Sequence, residues 1–391
     1  MEVKQKKVAQ QFRNFEKALG EYRHDEPLSR FLTRFYKSNK QMGSSDRRMT
    51  SRLCYNYFRI GGATFQEDPL QRLILAEFLC ESVSDLVDVH RSQWSTHQQA
   101  PLPDKIGFLA GQGISFEDDI FPFHRHLSQA IDKKAFCRSH LVQPDLFIRV
   151  QKHAVAEVEA ELAKNAIPFD KVRPYSYRLP NGAQLQQIKK IEGLFEVQDL
   201  SSQESLDVAE IEKGQSWWDA CAASGGKSLL LLHKEPNLQL MVSDIRLSVL
   251  RNLDERFLQA NVKTHYRKKV LDLTEDVDHI MQNERFDGII LDAPCSGSGT
   301  WGRTPEMIKQ FSEDKIRDFS SLQRNITKRA ADYLKKNGQL VYITCSVFRE
   351  ENEEVIDYLE KECGLKLEEL KLIAGYNRKS DSMFAARLRK I

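Results

Sequence analysis

No stretch of the 391 residues approaches the roughly 20 consecutive apolar positions that a bilayer-spanning helix requires, and the longest leucine run is only Leu229 to Leu232. The basic start, MEVKQKKVAQQF, lacks the apolar segment that would follow it in a secretory signal. A soluble, monomeric, cytoplasmic protein with no membrane partner is expected. Cysteine is sparse: seven residues, Cys54, Cys80, Cys137, Cys221, Cys295, Cys345 and Cys363, with no C-x-x-C pair among them. That absence removes zinc ribbons and dithiol redox motifs, so no metal is expected, and an odd set of scattered thiols fits a reducing compartment. There is no internal repeat.

Charge of one sign is also missing in bulk, since the formal net charge is +2. Its distribution is uneven. Residues 1–60 carry 14 Lys/Arg against 6 Asp/Glu, a local +8, and the remainder sums to −6. A basic end on a nearly neutral chain suggests a polyanionic partner held locally. With 41% hydrophobic and 29% charged residues, the chain has the balance of a folded globular protein rather than a disordered one, and its length predicts two or three domains.

The first 135 residues read as all-helical. Leu28, Phe31, Leu32 and Phe35 form the apolar stripe of one amphipathic helix, and Met49 through Leu53, Tyr57 and Ile60 form another, capped by Ser45 or Asp46 and ended by Gly61-Gly62. Arg30, Arg34, Lys37, Arg47, Arg48, Arg52 and Arg59 alternate with these stripes and supply a surface for phosphates. Residues 136–204 form a small α/β unit: a strand at 144–150, a helix at about 154–164 closed by Pro168, and β-prone pieces near Tyr175–Leu179 before the turn Pro180-Asn181-Gly182. Residues 205–391 alternate strand and helix. Strands are expected at Ser216–Ala220, Gln239–Ser243, Thr264–Val270, Gly288–Leu291 and Gln339–Thr344, with helices at Ile245–Ala260 and Asp314–Lys335. This pattern predicts a doubly wound parallel sheet with ligands at the carboxyl ends of its strands.

The chemistry concentrates at those ends. Asp219-Ala220-Cys221-Ala222-Ala223-Ser224-Gly225-Gly226-Lys227-Ser228 runs from a strand into a helix, and its small residues let backbone N–H groups approach a ligand. Two readings compete. A phosphate-cradling P-loop is missed by one residue, because Cys221 stands where its first glycine belongs, and Gly288-Ile289-Ile290-Leu291-Asp292 resembles the strand and acid that accompany such a loop. The other reading is the loop of an S-adenosylmethionine enzyme, which needs an acid after the next strand for the ribose hydroxyls. Asp244 lies there, about twenty residues on, and Asp272 after the following strand suits the adenine amine.

Two cysteines, in Asp292-Ala293-Pro294-Cys295-Ser296-Gly297-Ser298-Gly299 and in Thr344-Cys345-Ser346, follow apolar strands and reach the same rim. Singly, each reads as a small packing residue. Together beside an acid they suggest covalent catalysis, and the reaction that uses both is methylation of a pyrimidine at carbon 5. One thiolate adds to carbon 6, the activated carbon 5 takes the methyl group, and a base removes the proton so that elimination frees the enzyme. Asp292 is placed to steady charge at ring nitrogen 3. Which cysteine attacks is left open by their spacing.

These segments resemble the Sun/Nop family of RNA cytosine-5 methyltransferases, whose hallmarks are matched by Asp219–Ser228, Asp292–Gly299 and Thr344–Ser346, with flanking matches at 198–203, 303–306, 351–353 and 381–384. The likeness covers about residues 140–391, and the basic helices are similar to the NusB-like RNA-binding domain of bacterial members. It implies a Rossmann-like catalytic domain that uses S-adenosyl-L-methionine on structured RNA, ribosomal before transfer RNA. It implies Cys345 as nucleophile, Cys295 in adduct breakdown, Asp292 and Lys227 on the target cytosine, and a cofactor pocket lined by Cys221, Ala222, Ala223, Ser224, Gly225, Gly226, Lys227, Asp244, Asp272 and Asp292. Ser224, Val249, Ser382 and Met383 depart from the family pattern without touching the cysteines. Arg149, Lys189, Lys190, Arg303, Arg387, Arg389 and Lys390 are further candidates for phosphates, and Phe121, Phe123, Trp301 and Tyr342 are candidates for base stacking. An RNA-dependent ATPase and a catalytically silent RNA-binding assembly factor are the competing functions.

Overall fold

Apolar runs and turn residues translate into two compact units in the computed structural model, which describes residues 2–63 and 68–391. One unit comprises Met1–Arg125, Asp132–Gln143 and Trp301–Ser312, and the other His126–Ile131, Pro144–Thr300 and Glu313–Ile391.

In the first unit the expected stripes are buried. The helix Leu28–Ser38 covers Leu28, Phe31, Leu32 and Phe35, and the helix Ser44–Arg59 covers Leu53 and Phe58. The second helix starts at Ser44 with Gly43 at its cap, two or three residues before the expected cap at Ser45 or Asp46. Asp68 caps the helix Pro69–Cys80 through the N–H groups of Leu70 and Gln71. Two of the arginines expected on a phosphate-facing surface do other work. Arg59 is 2% exposed and donates to the carbonyls of His140 (3.0 Å) and Gly302 (2.8 Å), so it ties three segments of the unit together. Arg52 is bound to Glu77. Three of the stacking candidates are also core: Trp301 is 1% exposed, and its ring lies 5.7 Å from Phe121, 5.9 Å from Phe123 and 5.0 Å from Phe311.

The second unit holds two sheets. The smaller is β1 (Leu146–Val150), β2 (Asp170–Arg173), β3 (Ser176–Leu179) and β4 (Phe195–Val197), antiparallel in the order β2-β3-β1-β4, with the helix Val155–Lys164 burying Val158 and Leu162 against it. The larger has seven strands: β5 (Ser216–Asp219), β6 (Gln239–Asp244), β7 (Tyr266–Val270), β8 (Phe286–Asp292), β9 (Leu334–Thr344), β10 (Leu365–Ile373) and β11 (Met383–Lys390), in the order β10-β11-β9-β8-β5-β6-β7. The run β7-β6-β5-β8-β9 is parallel, and β10 and β11 are antiparallel. Adjacent tryptophans show the pleat: Trp217 packs into one face of the sheet and Trp218 into the other, both fully buried.

The sheet is Rossmann-like, as expected, but the chain end is not a basic tail. It forms β11, hydrogen-bonded between β9 and β10. Arg387 pairs with Glu368 (3.1 Å) and Glu210 (3.0 Å), Arg389 pairs with the same two carboxylates, and Lys390 donates to the carbonyls of Ala331 and Asp332. These side chains neutralise neighbours and are not a phosphate-binding cluster. Tyr342 is likewise buried, with its hydroxyl on the Glu351 carbonyl at 2.7 Å.

Candidate active site

In an open α/β sheet the crevice opens where strand order reverses, here between β5 and β8, beyond their carboxyl ends. Candidate residues stand at or just beyond the carboxyl ends of all five parallel strands, β5 to β9. β5 ends at Asp219 and the chain turns through Ala220–Gly225 into the helix Gly226–Lys234. Gly225 has φ +84°, and a Cβ there would stand 2.8 Å from Phe257 and 2.9 Å from Leu253, so only glycine suits the turn. Ala223 is also left-handed, with φ +45°, a conformation that a side chain disfavours. Its N–H donates to Asp244 at 3.1 Å, which links the loop to the end of β6. The other oxygen of Asp244 accepts from the backbone N–H of Arg246 at 2.9 Å. Asp272, beyond β7, accepts from the N–H (2.9 Å) and hydroxyl (2.6 Å) of Thr274.

A cavity of about 440 Å³ opens over these groups, lined by Cys221, Ala223, Asp244, Asp272 and Asp292 together with Ile245, Arg246, Leu271, Leu273, Thr274, Pro294, Leu322 and Ile326. Five of the ten residues proposed for cofactor binding therefore meet in one wall. The other five do not line it. Ala222 packs into the core, Ser224 faces Arg256, Gly225 and Gly226 form the helix start, and Lys227 reaches Asp292 at 3.0 Å and Ser202 at 2.9 Å. An apolar slot with three carboxylates fits an adenosine with a cationic sulfur and is hostile to a polyphosphate. The lysine that would have to meet the phosphates of a P-loop ligand is bound to an aspartate instead.

Asp219 lies beneath the loop, fully buried. One of its oxygens accepts from Ser228 at 2.6 Å and the other has no partner. Burial pushes its carboxyl up to about 7, against the Ser228 hydrogen bond. A raised folded-state value means that stability is lost as pH climbs through it, because the native state must then hold a buried charge. Asp219→Asn, which keeps the shape and cannot ionise, is expected to gain stability over the wild type by about 1.4 kcal/mol between pH 6 and pH 8. Thermal unfolding at the two pH values checks this, and a constant difference would refute it.

The two thiols meet. Cys295 in the loop after β8 and Cys345 at the end of β9 are both half-buried, with their sulfurs 3.3 Å apart. The hydrogen bond with Cys345 and burial together hold the Cys295 thiol well above its usual range, hence protonated. Gly299 brings the loops together: its N–H donates to the Cys345 carbonyl at 2.9 Å, and a Cβ would come within 2.0 Å of the Ser382 carbonyl.

A set of residues outside the expected site fixes this arrangement. Glu351, fully buried, accepts from the Ser296 N–H (2.9 Å), the Gln323 amide (2.9 Å) and the Ser346 hydroxyl (2.7 Å), so one carboxylate holds the residue after each cysteine. Asn352 accepts from the Thr344 hydroxyl (2.6 Å) and donates to the Ser346 carbonyl (2.9 Å). The signal in the sequence was the segment Glu351-Asn352-Glu353, shortly after the Cys345 motif and visible as a flanking match without a role. The cavity residues Ile245, Arg246, Leu273, Thr274, Leu322 and Ile326 carried no signal of their own.

Residues 207–388 match the family model described as 16S rRNA methyltransferase RsmB/F. The chain is similar to ribosomal RNA small subunit methyltransferase B of Photorhabdus laumondii, 35% identical over 176 residues, which are 45% of this chain and 40% of that protein. It is similar to the protein of the same description from Pasteurella multocida, 29% identical over 339 residues, 81% of this chain and 70% of the relative. The chain thus spans less than half of the first relative's length and about two thirds of the second's. Its fold resembles that of NSun6 from Pyrococcus horikoshii, solved with SFG, with a TM-score of 0.60 at 18% identity over 69% of this chain and 97% of that one.

Proposed function

We propose that this chain, whose residues 207–388 match the model of the RsmB/F methyltransferases, is a member of that family and transfers a methyl group from S-adenosyl-L-methionine to carbon 5 of a cytosine in small-subunit ribosomal RNA. The observation that carries this reading is the pair of thiols 3.3 Å apart beside a cavity lined by Asp244, Asp272 and Asp292. The methyl donor supplies an electrophilic methyl on a sulfonium. Asp244 would accept from its ribose hydroxyls and Asp272 from its adenine amine, and the apolar wall of Leu271, Leu273 and Ile326 would exclude water.

The Cys345 thiolate adds to carbon 6 of a cytosine turned out of its stack, and the electron pair of the 5,6 double bond moves toward carbon 5 and ring nitrogen 3. Lys227 and Asp292, 3.0 Å apart, hold between them a proton that steadies the charge arriving at nitrogen 3. Carbon 5 would then take the methyl group, with the donor's methyl–sulfur bond breaking to leave a neutral thioether. After a base takes the carbon 5 proton, the carbon–sulfur bond to Cys345 breaks and the double bond reforms. Cys295, held protonated next to Cys345, is the group positioned to return a proton to the departing sulfur.

S-adenosylhomocysteine is expected to raise the unfolding temperature of the protein while ATP leaves it unchanged, and bisulfite mapping is expected to show a new methylated cytosine in ribosomal RNA. Stabilisation by ATP and not by S-adenosylhomocysteine would reverse the assignment.

A further inference from the structure

One deeply buried cation among the sequence's phosphate candidates lies away from the active site. Arg149, on β1, is 5% exposed, and its Nε donates to the side-chain oxygen of Gln198 at 3.0 Å. One guanidinium nitrogen, Nη2, is buried and has no hydrogen-bond partner. A buried charge without a counter-ion is unfavourable, and such a group is normally paired. Glu196, which faces Arg149 across the β1–β4 pair, is already bound to Arg256 at 2.7 Å. Burial lowers Arg149 to about 10, so it remains charged at neutral pH.

Arg149 lies in the shared wall of two cavities of about 300 and 470 Å³, which also share Lys152 and His233. Lys263 and His153 line the first and Arg173 lines the second. His233 is pushed down to about 3 by burial and by Arg149, Lys152 and Lys234, which registers the positive potential there. Two helices, Gly226–Lys234 and Leu247–Gln259, end at this place, and their carbonyls favour cations. Lys152 answers one of them by donating to the Lys234 carbonyl at 3.2 Å. In the second cavity Asp207 is neutralised by Arg173 (2.9 Å) and Lys234 (3.0 Å). The Arg149 nitrogen is what these pairings leave over.

We propose that the groove around Arg149 and Lys152 is a phosphate-binding site, filled by a phosphodiester of the RNA substrate at a distance from the reacting base. The helix Gly226–Lys234 separates the groove from the cofactor loop by its own length, about 13 Å. Gln198 joins the two, since its amide oxygen holds Arg149 while its nitrogen donates to Ser202 and to the Gly226 carbonyl, both at 3.3 Å. RNA as the source of the phosphate rests on the methyl-transfer reading, but the phosphate site itself does not.

Arg149→Met keeps the packing of the stem and removes the charge. Millimolar inorganic phosphate is expected to raise the unfolding temperature of the full-length wild type and not of Arg149→Met. The variant is also expected to bind a ribosomal RNA fragment about fivefold more weakly, with the slope of log affinity against log salt lowered by about one. Lys152→Ala, at an exposed position, is expected to show a weaker form of the same loss and carries the test if Arg149→Met does not fold. Phosphate stabilisation with an unchanged RNA slope assigns the site to a small phosphorylated solute. No phosphate effect and an unchanged slope overturn the proposal. These readouts need no methyl donor, so a failure of methyl transfer would leave them intact.

Discussion

Cys345→Ala is expected to yield no covalent complex with RNA and to lower the methyl-transfer rate by about 10⁴-fold, because it removes the thiolate proposed to open carbon 5 to the electrophile. Cys295→Ala is expected to do the reverse. It should form the adduct and then release it slowly, so that a protein–RNA band builds up on a denaturing gel while turnover falls. The two side chains are 3.3 Å apart, and either one is near enough to attack. The contact is symmetric, so the behaviour of the two variants, not the distance, assigns the roles. The measurement needs only the two variants, a transcript and a gel that preserves thioether bonds. Accumulation of adduct in Cys345→Ala, with none in Cys295→Ala, would exchange the roles. Adduct from neither variant and full activity from both would remove covalent catalysis from the mechanism.

Much of this site was legible before any coordinates, for a physical reason. Strands that end at a catalytic rim are apolar and fully buried, so runs such as Leu340-Val341-Tyr342-Ile343 stand out, and the residues after them, Asp244, Asp292, Cys295 and Cys345, fall on one edge once the sheet is recognised. Residues that shape the cavity from the side were illegible. Leu322 and Ile326 lie on the long helix Asp314–Asp332, and their periodicity reports only that one helix face is buried, not against what. Charge was misleading for a related reason. Arg59, Arg149, Arg387 and Arg389 look alike in sequence, yet one ties carbonyls together, one is left with a spare nitrogen, and two are neutralised by glutamates. Composition counts charges, and only burial and partners say which of them are available. The segment Leu365–Ile373, LKLEELKLI, fits helical and strand periods about equally, and its pairing with β11 decides the matter.

Glu351→Ala is expected to be the most destabilising single change at the site, by about 3–5 kcal/mol, or about 10 °C in unfolding temperature. The carboxylate is fully buried with three donors converging on it, and its removal strands the Ser296 N–H, the Gln323 amide and the Ser346 hydroxyl in a place no water reaches. Glu351→Gln should fall between, because one amide oxygen can still accept while the amide NH₂ meets a donor. Burial raises the Glu351 carboxyl above its usual range despite these donors. By linkage, the advantage of wild type over Glu351→Gln is therefore largest below the ordinary glutamate range and narrows as pH rises through the folded-state value. A second effect separates positioning from mere stability. Ser296 follows Cys295 and Ser346 follows Cys345, so loosening the clamp lets the two sulfurs drift from their 3.3 Å approach. Folded Glu351→Ala, assayed well below its own transition, should then form the adduct more slowly than wild type while binding S-adenosylhomocysteine equally well, because the cavity wall does not include Glu351. An unfolding temperature within about 1 °C of wild type, or an unchanged rate of adduct formation, would show that the two cysteine loops are held by something other than this carboxylate.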